Sequence, residues 1–139
     1  MSYLGLDPRN AIMKDTITVE GPGYLLTMDS TNDKLDLTAV SEIAIGVSVG
    51  ESERAIGSET GLAAGALISF YPLGGVLMIQ ATAGQTWTVG ATVYATNAGL
   101  ATTASGSSAK KVGLYVGGGE TVPSGGGMIP VNTMGAEIA

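Results

Sequence analysis

The chain of 139 residues contains no cysteine and no histidine. Without cysteine there is neither a disulfide framework nor a thiolate metal site. Without histidine the usual general base, the usual triad partner of a serine nucleophile and the commonest zinc ligand are all missing. Charge is also scarce. Between Gly61 and Gly119 there is no acidic residue, and the only charges are Lys110 and Lys111. A stretch so poor in charge has to be buried, paired or bound. No basic n-region followed by an apolar stretch opens the sequence, so a secretory signal is not expected.

What charge there is lies unevenly. Residues 1–59 hold ten acidic and four basic side chains, a net of −6, whereas residues 60–139 hold two of each and are neutral. That balance argues against nucleic acid, whose phosphates require a basic stripe, and against an anionic membrane surface. The apolar run from Leu62 to Ala83 is long enough to raise the question of a membrane span. Pro72 with Gly74 and Gly75 breaks it in the middle, however, and two buried strands around a turn explain it better.

Glycine cuts the second half of the chain into apolar pieces of four to eight residues, which are strand lengths. Strands are expected at Thr16 to Glu20, Tyr24 to Met28, Leu35 to Leu37, Ile43 to Val49, Ala66 to Tyr71, Val76 to Ala81, Thr86 to Val89, Thr92 to Ala95, Leu100 to Thr103, Val112 to Val116 and Met128 to Asn132. The first two would be joined across Gly21-Pro22-Gly23. Ala66 to Tyr71 and Val76 to Ala81 would turn at Pro72 to Gly75 and form the centre of the core. Asn97-Ala98-Gly99 is a tight hairpin signal, because Asn and Gly tolerate positive φ.

Pro130 predicts a sheet edge or a bulge. Glu51 to Gly61 predicts an exposed loop, and Gly117 to Gly127 a flexible one that projects from the body. Met1 to Asp15 show no sustained period and are expected as an extended arm, docked on a partner or disordered, ahead of one domain over residues 16–139. The class is all-β, a small barrel or sandwich of short strands.

Candidate chemistry is thin. Ser107 and Ser108 stand three residues before Lys110 and Lys111, which matches Ser-x-x-Lys formally, but the pair falls in a turn without the companions that acyl-enzyme chemistry needs. Asp29, Thr31, Asp33 and Asp36 suggest a calcium loop, yet the sixth and twelfth positions are Lys34 and Val40 where glycine and glutamate are required. Gly117 to Gly119 precede Glu120, which repels phosphate. Glu51, Glu53 and Glu59 read as surface charge. Trp87, the only tryptophan, is either a core aromatic or an interface anchor. In the arm, Tyr3 and Leu4 are the aromatic and apolar pair most in need of a groove.

The order IAIGVSVGES (from Ile43), GALISFYPLGGVLMIQATAGQTWTVGATVYATNAGLATTAS (from Gly65), KKVGLYV (from Lys110) and GGGMIPVNT (from Gly125) resembles the decoration, or cement, proteins of tailed-bacteriophage capsids. The likeness covers about Leu35 to Thr133. It implies a small β-barrel or tulip-like body without catalysis, cofactor or metal. Such a body would bind the major capsid protein on the outer surface of the expanded head, commonly as homotrimers at three-fold and quasi-three-fold axes. On that basis Met1 to Lys14 would lie across the capsid protein, and uncharged faces from residues 61–119 would meet neighbouring subunits. The contact residues would include Tyr3, Leu4, Leu6, Ile12 and Trp87. A receptor- or glycan-binding module of a head fibre or tail is the alternative, since it would share the fold.

Overall fold

A computed structural model describes residues 9–14, 19–29, 34–51, 67–106 and 108–137. The described chain is built from short strands and is all-β, as its glycine-punctuated apolar segments require. Two curled sheets lie side by side. The first contains β1 (Arg9–Ile12), β2 (Leu25–Asp29), β3 (Lys34–Leu37), β4 (Gly46–Ser48) and β5 (Leu67–Pro72), in the order β1-β5-β4-β2-β3 with every pair antiparallel. Its two edges meet at a parallel bridge between Met13 and Leu35, where the Lys14 N–H donates to the Leu35 carbonyl over 2.9 Å. Inside this curl Met13, Val19, Leu26, Leu35, Ile68 and Phe70 form one core.

The second sheet closes completely. It contains β6 (Val76–Ala81), β8 (Thr92–Ala95), β9 (Ala101–Thr102), β10 (Lys111–Tyr115) and β12 (Gly127–Asn132), in the order β10-β12-β6-β9-β8. Closure comes from one parallel contact, Ala81 beside Ala101, reinforced by the backbone N–H and the hydroxyl of Thr82, both donating to the Ala101 carbonyl. A two-stranded ribbon of β7 (Thr86–Trp87) and β11 (Glu120–Thr121) flanks the barrel. Along β6 the side chains alternate as the pleat dictates, with Leu77, Ile79 and Ala81 buried and Val76 and Met78 exposed.

The two bodies are joined through the start of β2. Leu25 belongs by its backbone to the first sheet and by its side chain to the barrel core, where it packs with Val47, Ala44 and the barrel's Ile79, Val93 and Ile129. The β8–β9 hairpin docks on this strand end. The Leu25 N–H donates to the Gly99 carbonyl (2.8 Å), the Thr38 N–H to the Leu25 carbonyl (2.9 Å) and the Gly99 N–H to the Thr38 carbonyl (3.1 Å). Nearby the Gln80 N–H donates to the Gly23 carbonyl at 2.8 Å. Gly99 has φ +71°, and a β-carbon there would lie 2.8 Å from the Leu25 carbonyl oxygen, so the turn residue is also what allows the bodies to touch.

Several expectations are corrected. The described part of the supposed arm is structural: Arg9–Ile12 pairs with β5, and Met13 is fully buried, because one strand is needed to complete the curl of the first sheet. Residues 1–8 and 15 lie outside the described set, as do residues 16–18 of the first expected strand and residues 52–61 of the expected loop. β5 and β6 are not partners, since they belong to different sheets. Their connection is instead held by Thr133, whose Oγ1 accepts from the Gly74 and Gly75 N–H groups and donates to the Gly75 carbonyl.

Pro130 sits on a strand flanked on both sides. Its carbonyl accepts from the Val116 N–H, so its own nitrogen points to the place where β10 has already ended, and the missing donor disrupts little. Segment 117–127 is pinned rather than projecting. It contributes β11, buries Val122, and is held by the Tyr115 hydroxyl, which donates to Glu120 Oε1 and accepts from the Gly119 N–H.

Two stability changes follow, both readable by urea denaturation. Met13→Ala should cost about 2–5 kcal/mol, the loss typical of emptying a packed core site, whereas a residue on a loose arm would cost almost nothing. Gly84→Ala, with φ +77° and open space around it, should cost only the left-handed strain of about 1–2 kcal/mol. Gly99→Ala should exceed it, because the added carbon also meets the Leu25 carbonyl.

Candidate functional site: an uncharged face on the barrel

The outer surface of β6, β12 and β10 is the most distinctive surface of the described chain. Antiparallel register sets its rows. Val76, Asn132, Leu114 and Thr92 lie side by side, Met78 and Pro130 form the next row with Val116 beside them, and Gln80 faces Met128 in the third. Period-two alternation directs these residues outward because Leu77, Ile79, Ile129, Val131 and Tyr115 fill the barrel. Val76, Met78, Leu114, Val116 and Met128 are all exposed, and no charged residue stands in any of the rows. Methionine gives such a surface an adaptable, polarisable character.

At one end of the face the chain makes a short 3-10 turn, Thr133–Gly135, with Asn132 accepting from the Met134 N–H at its start. Met134 is strongly exposed there and also lines a groove of about 320 Å³, shared with Ile43, Ile45, Leu73 and Glu137. The groove is largely apolar. The Glu137 carboxylate accepts from the Lys111 N–H, so its charge is already engaged.

Of the residues expected to make contacts, Tyr3, Leu4 and Leu6 lie outside the described set. Ile12 is half exposed on the outer side of β1 and stands opposite Leu67, itself exposed, in the register of β5. Trp87 is only 1% exposed, with its ring 5.7 Å from that of Tyr115 at an interplanar angle of 35°. The core alternative therefore holds for Trp87, and a side chain so enclosed has no surface to offer a partner. Its indole nitrogen has no hydrogen-bond partner inside the barrel.

The other motifs take up structural positions. Asp29 and Asp36 are bridged by the Lys14 ammonium, at 3.3 and 3.4 Å, so the two described carboxylates of the supposed calcium loop already hold a cation from the chain itself. Hydrogen bonds to Asp29 first and to Asp36 second raise the Lys14 pKa above its usual 10.5. Ser107 lies outside the described residues, as do Thr31, Asp33, Glu53 and Glu59. Among the described residues no three His, Cys, Asp or Glu side chains come together as metal ligands, and no helix is long and apolar enough to cross a membrane. Within the Leu62 to Ala83 run, Leu67–Pro72 and Val76–Ala81 are strands.

Comparison with protein-family models, with curated proteins and with solved structures finds no match to this chain.

Burial raises the Tyr115 pKa above 10.0; the Gly119 N–H partly opposes this, and the Glu120 carboxylate adds to it. The folded state thus favours the neutral phenol, so this contribution to stability is complete below pH 10 and falls as pH rises through and above it. The Lys14 shift acts in the same alkaline range with the same sign. Comparing melting curves of wild type and Tyr115→Phe from pH 8 to 11 isolates the tyrosine: the wild type should lose more stability than the variant above pH 10. Parallel losses would show that the phenol does not titrate differently in the folded state.

Proposed function

We propose that the protein is a capsid decoration protein, a structural component that binds the outer surface of an expanded tailed-phage head and stabilises it, with homotrimers at three-fold and quasi-three-fold axes as the arrangement its resemblance implies. The observation that carries the reading is the uncovered, uncharged apolar face on a small closed barrel, in a chain whose charge is held in its other half. A surface of that kind is suited to protein contact. Stabilisation follows by mass action, since a component that binds only the assembled, expanded shell shifts the equilibrium toward it. Ile12, exposed beside Leu67 where the chain emerges from residues 1–8, is the described residue assigned here to the shell contact. Of the rings that a glycan-binding module would use, Trp87 and Tyr115 are enclosed, while Tyr24, Tyr71 and Tyr94 are partly exposed.

Co-sedimentation with expanded and unexpanded heads of the encoding virus tests the proposal. Saturable binding to expanded heads alone, at a fixed ratio to capsid subunits and weakened by Ile12→Glu, is the expected result. Folded protein that binds neither form of the head would refute it.

A further inference from the structure

We infer that the seam between β1 and β3 is held by an ionic lock, the Lys14 ammonium, and that salt opens this seam while the barrel stays closed. Elsewhere in the first sheet the strands are joined by ladders. β1 lies along β5 from Arg9 to Ile12, β2 lies along β3 from Leu26 to Asp29, and β4 pairs with both β2 and β5. Between the two edges the described residues offer one parallel bridge, Met13 beside Leu35, and one backbone hydrogen bond, from the Lys14 N–H to the Leu35 carbonyl.

Side-chain burial adds little on the β1 side of that seam. Arg9, Asn10 and Ile12 are exposed, and Met13 is the one fully buried residue among residues 9–14. What remains is charge. The Lys14 Nζ lies 3.3 Å from Asp29 Oδ2 and 3.4 Å from Asp36 Oδ2, so one side chain from beyond β1 reaches the end of β2 and the middle of β3 at once. Lys34 stands opposite Asp29 in the β2–β3 register, within the hairpin itself, and so does not tie β1 to it. Arg9 is at the far end of β1, opposite Phe70, and β4 and β5 carry no charged residue.

Taking the ammonium away does two things. It removes both attractions, and it leaves two carboxylates that had shared one cation beside the same gap, where like charges repel. The Lys14 side chain is 32% exposed, so dissolved ions reach the pairs and screen them. The backbone ladder of β1 on β5 and the apolar packing of the barrel have no such dependence. Ile12 immediately precedes the seam, so the lock also fixes where that residue is presented. This last consequence rests on the assignment of Ile12 to the shell contact, whereas the lock itself does not.

Native-state hydrogen exchange of the full chain tests the lock, with sodium chloride raised from roughly 0.01 M to roughly 1 M so that the Debye length falls from about 30 Å to about 3 Å. The Lys14 N–H reports the seam. Corrected for its intrinsic rate, it should exchange roughly three- to tenfold faster at high salt, the size that two partly exposed ion pairs can supply. The Leu25 N–H, bonded to Gly99 between the bodies, and the Thr82 N–H, bonded to Ala101 where the barrel closes, should keep their rates. Lys14→Met, which retains an apolar stem, should show the fast seam already at low salt and lose the salt response.

A Lys14 N–H indifferent to salt would overturn the inference. So would a rise shared by all three amides, which means a general loosening and not an opened seam, or a salt response that survives in Lys14→Met. The salt series needs only the wild type, so misfolding of the variant does not remove the test. No shell is present in it, and its outcome is therefore independent of head binding.

Discussion

The contact between Leu25 and Gly99 is the constraint on which the architecture turns. The first sheet has only a small core of its own, Met13, Val19, Leu26, Leu35, Ile68 and Phe70 among the described residues, and small cores are marginal alone. Leu25 ties this sheet to the barrel. Its backbone extends the first sheet while its side chain enters the barrel core, and three backbone hydrogen bonds among Leu25, Thr38 and Gly99 fix the approach. Only a residue without a β-carbon fits at position 99, so the turn that closes the β8–β9 hairpin is the same residue that lets the two bodies join.

The same economy of charge that allows a barrel to close from such strands also leaves its outer rows without charge. In many small β proteins the solvent face of each strand is polar. Here β6, β12 and β10 present valine, methionine, leucine and proline outward, and the net charge of −6 lies in the first half of the chain. This uneven charge is compatible with the structural role proposed above, in which the uncharged face serves protein contact. The Tyr115 hydroxyl and the Thr133 hydroxyl hold the loops at the barrel's ends, so the face is displayed on a defined frame.

Much of this was legible along the chain wherever the signal was local. Val76–Ala81 and Thr92–Ala95 follow directly from apolar residues bounded by glycine, and Asn97 to Gly99 makes the expected turn. Long-range pairing was not legible. Nothing local marks Arg9–Ile12 as a strand, since its apolar content is low and its place is set by β5 and by the Met13 bridge to Leu35. β5 and β6 look like a hairpin from the order of residues alone, yet they pair in different sheets, and Thr133 binds Gly74 and Gly75 in the connection between them. The glycine-rich segment after Tyr115 is held by one hydroxyl that composition does not reveal. The candidate face was visible in part: the charge-poor stretch from Gly61 to Gly119 contains Val76, Met78, Leu114 and Val116, but Met128 and Pro130 enter it through the register of β12. Trp87, a natural suspect as the sole tryptophan, is core.

If the two bodies form one cooperative unit through Leu25 and Gly99, equilibrium unfolding of the full chain followed by two probes tests that claim most directly. Trp87 fluorescence reports the barrel, and the Met13 methyl resonance reports the core of the first sheet. Coincident urea midpoints are the expected result. Separate midpoints, with one core melting while the other stays intact, would contradict the account, because the face on the barrel would then be carried by a body that does not need its neighbour.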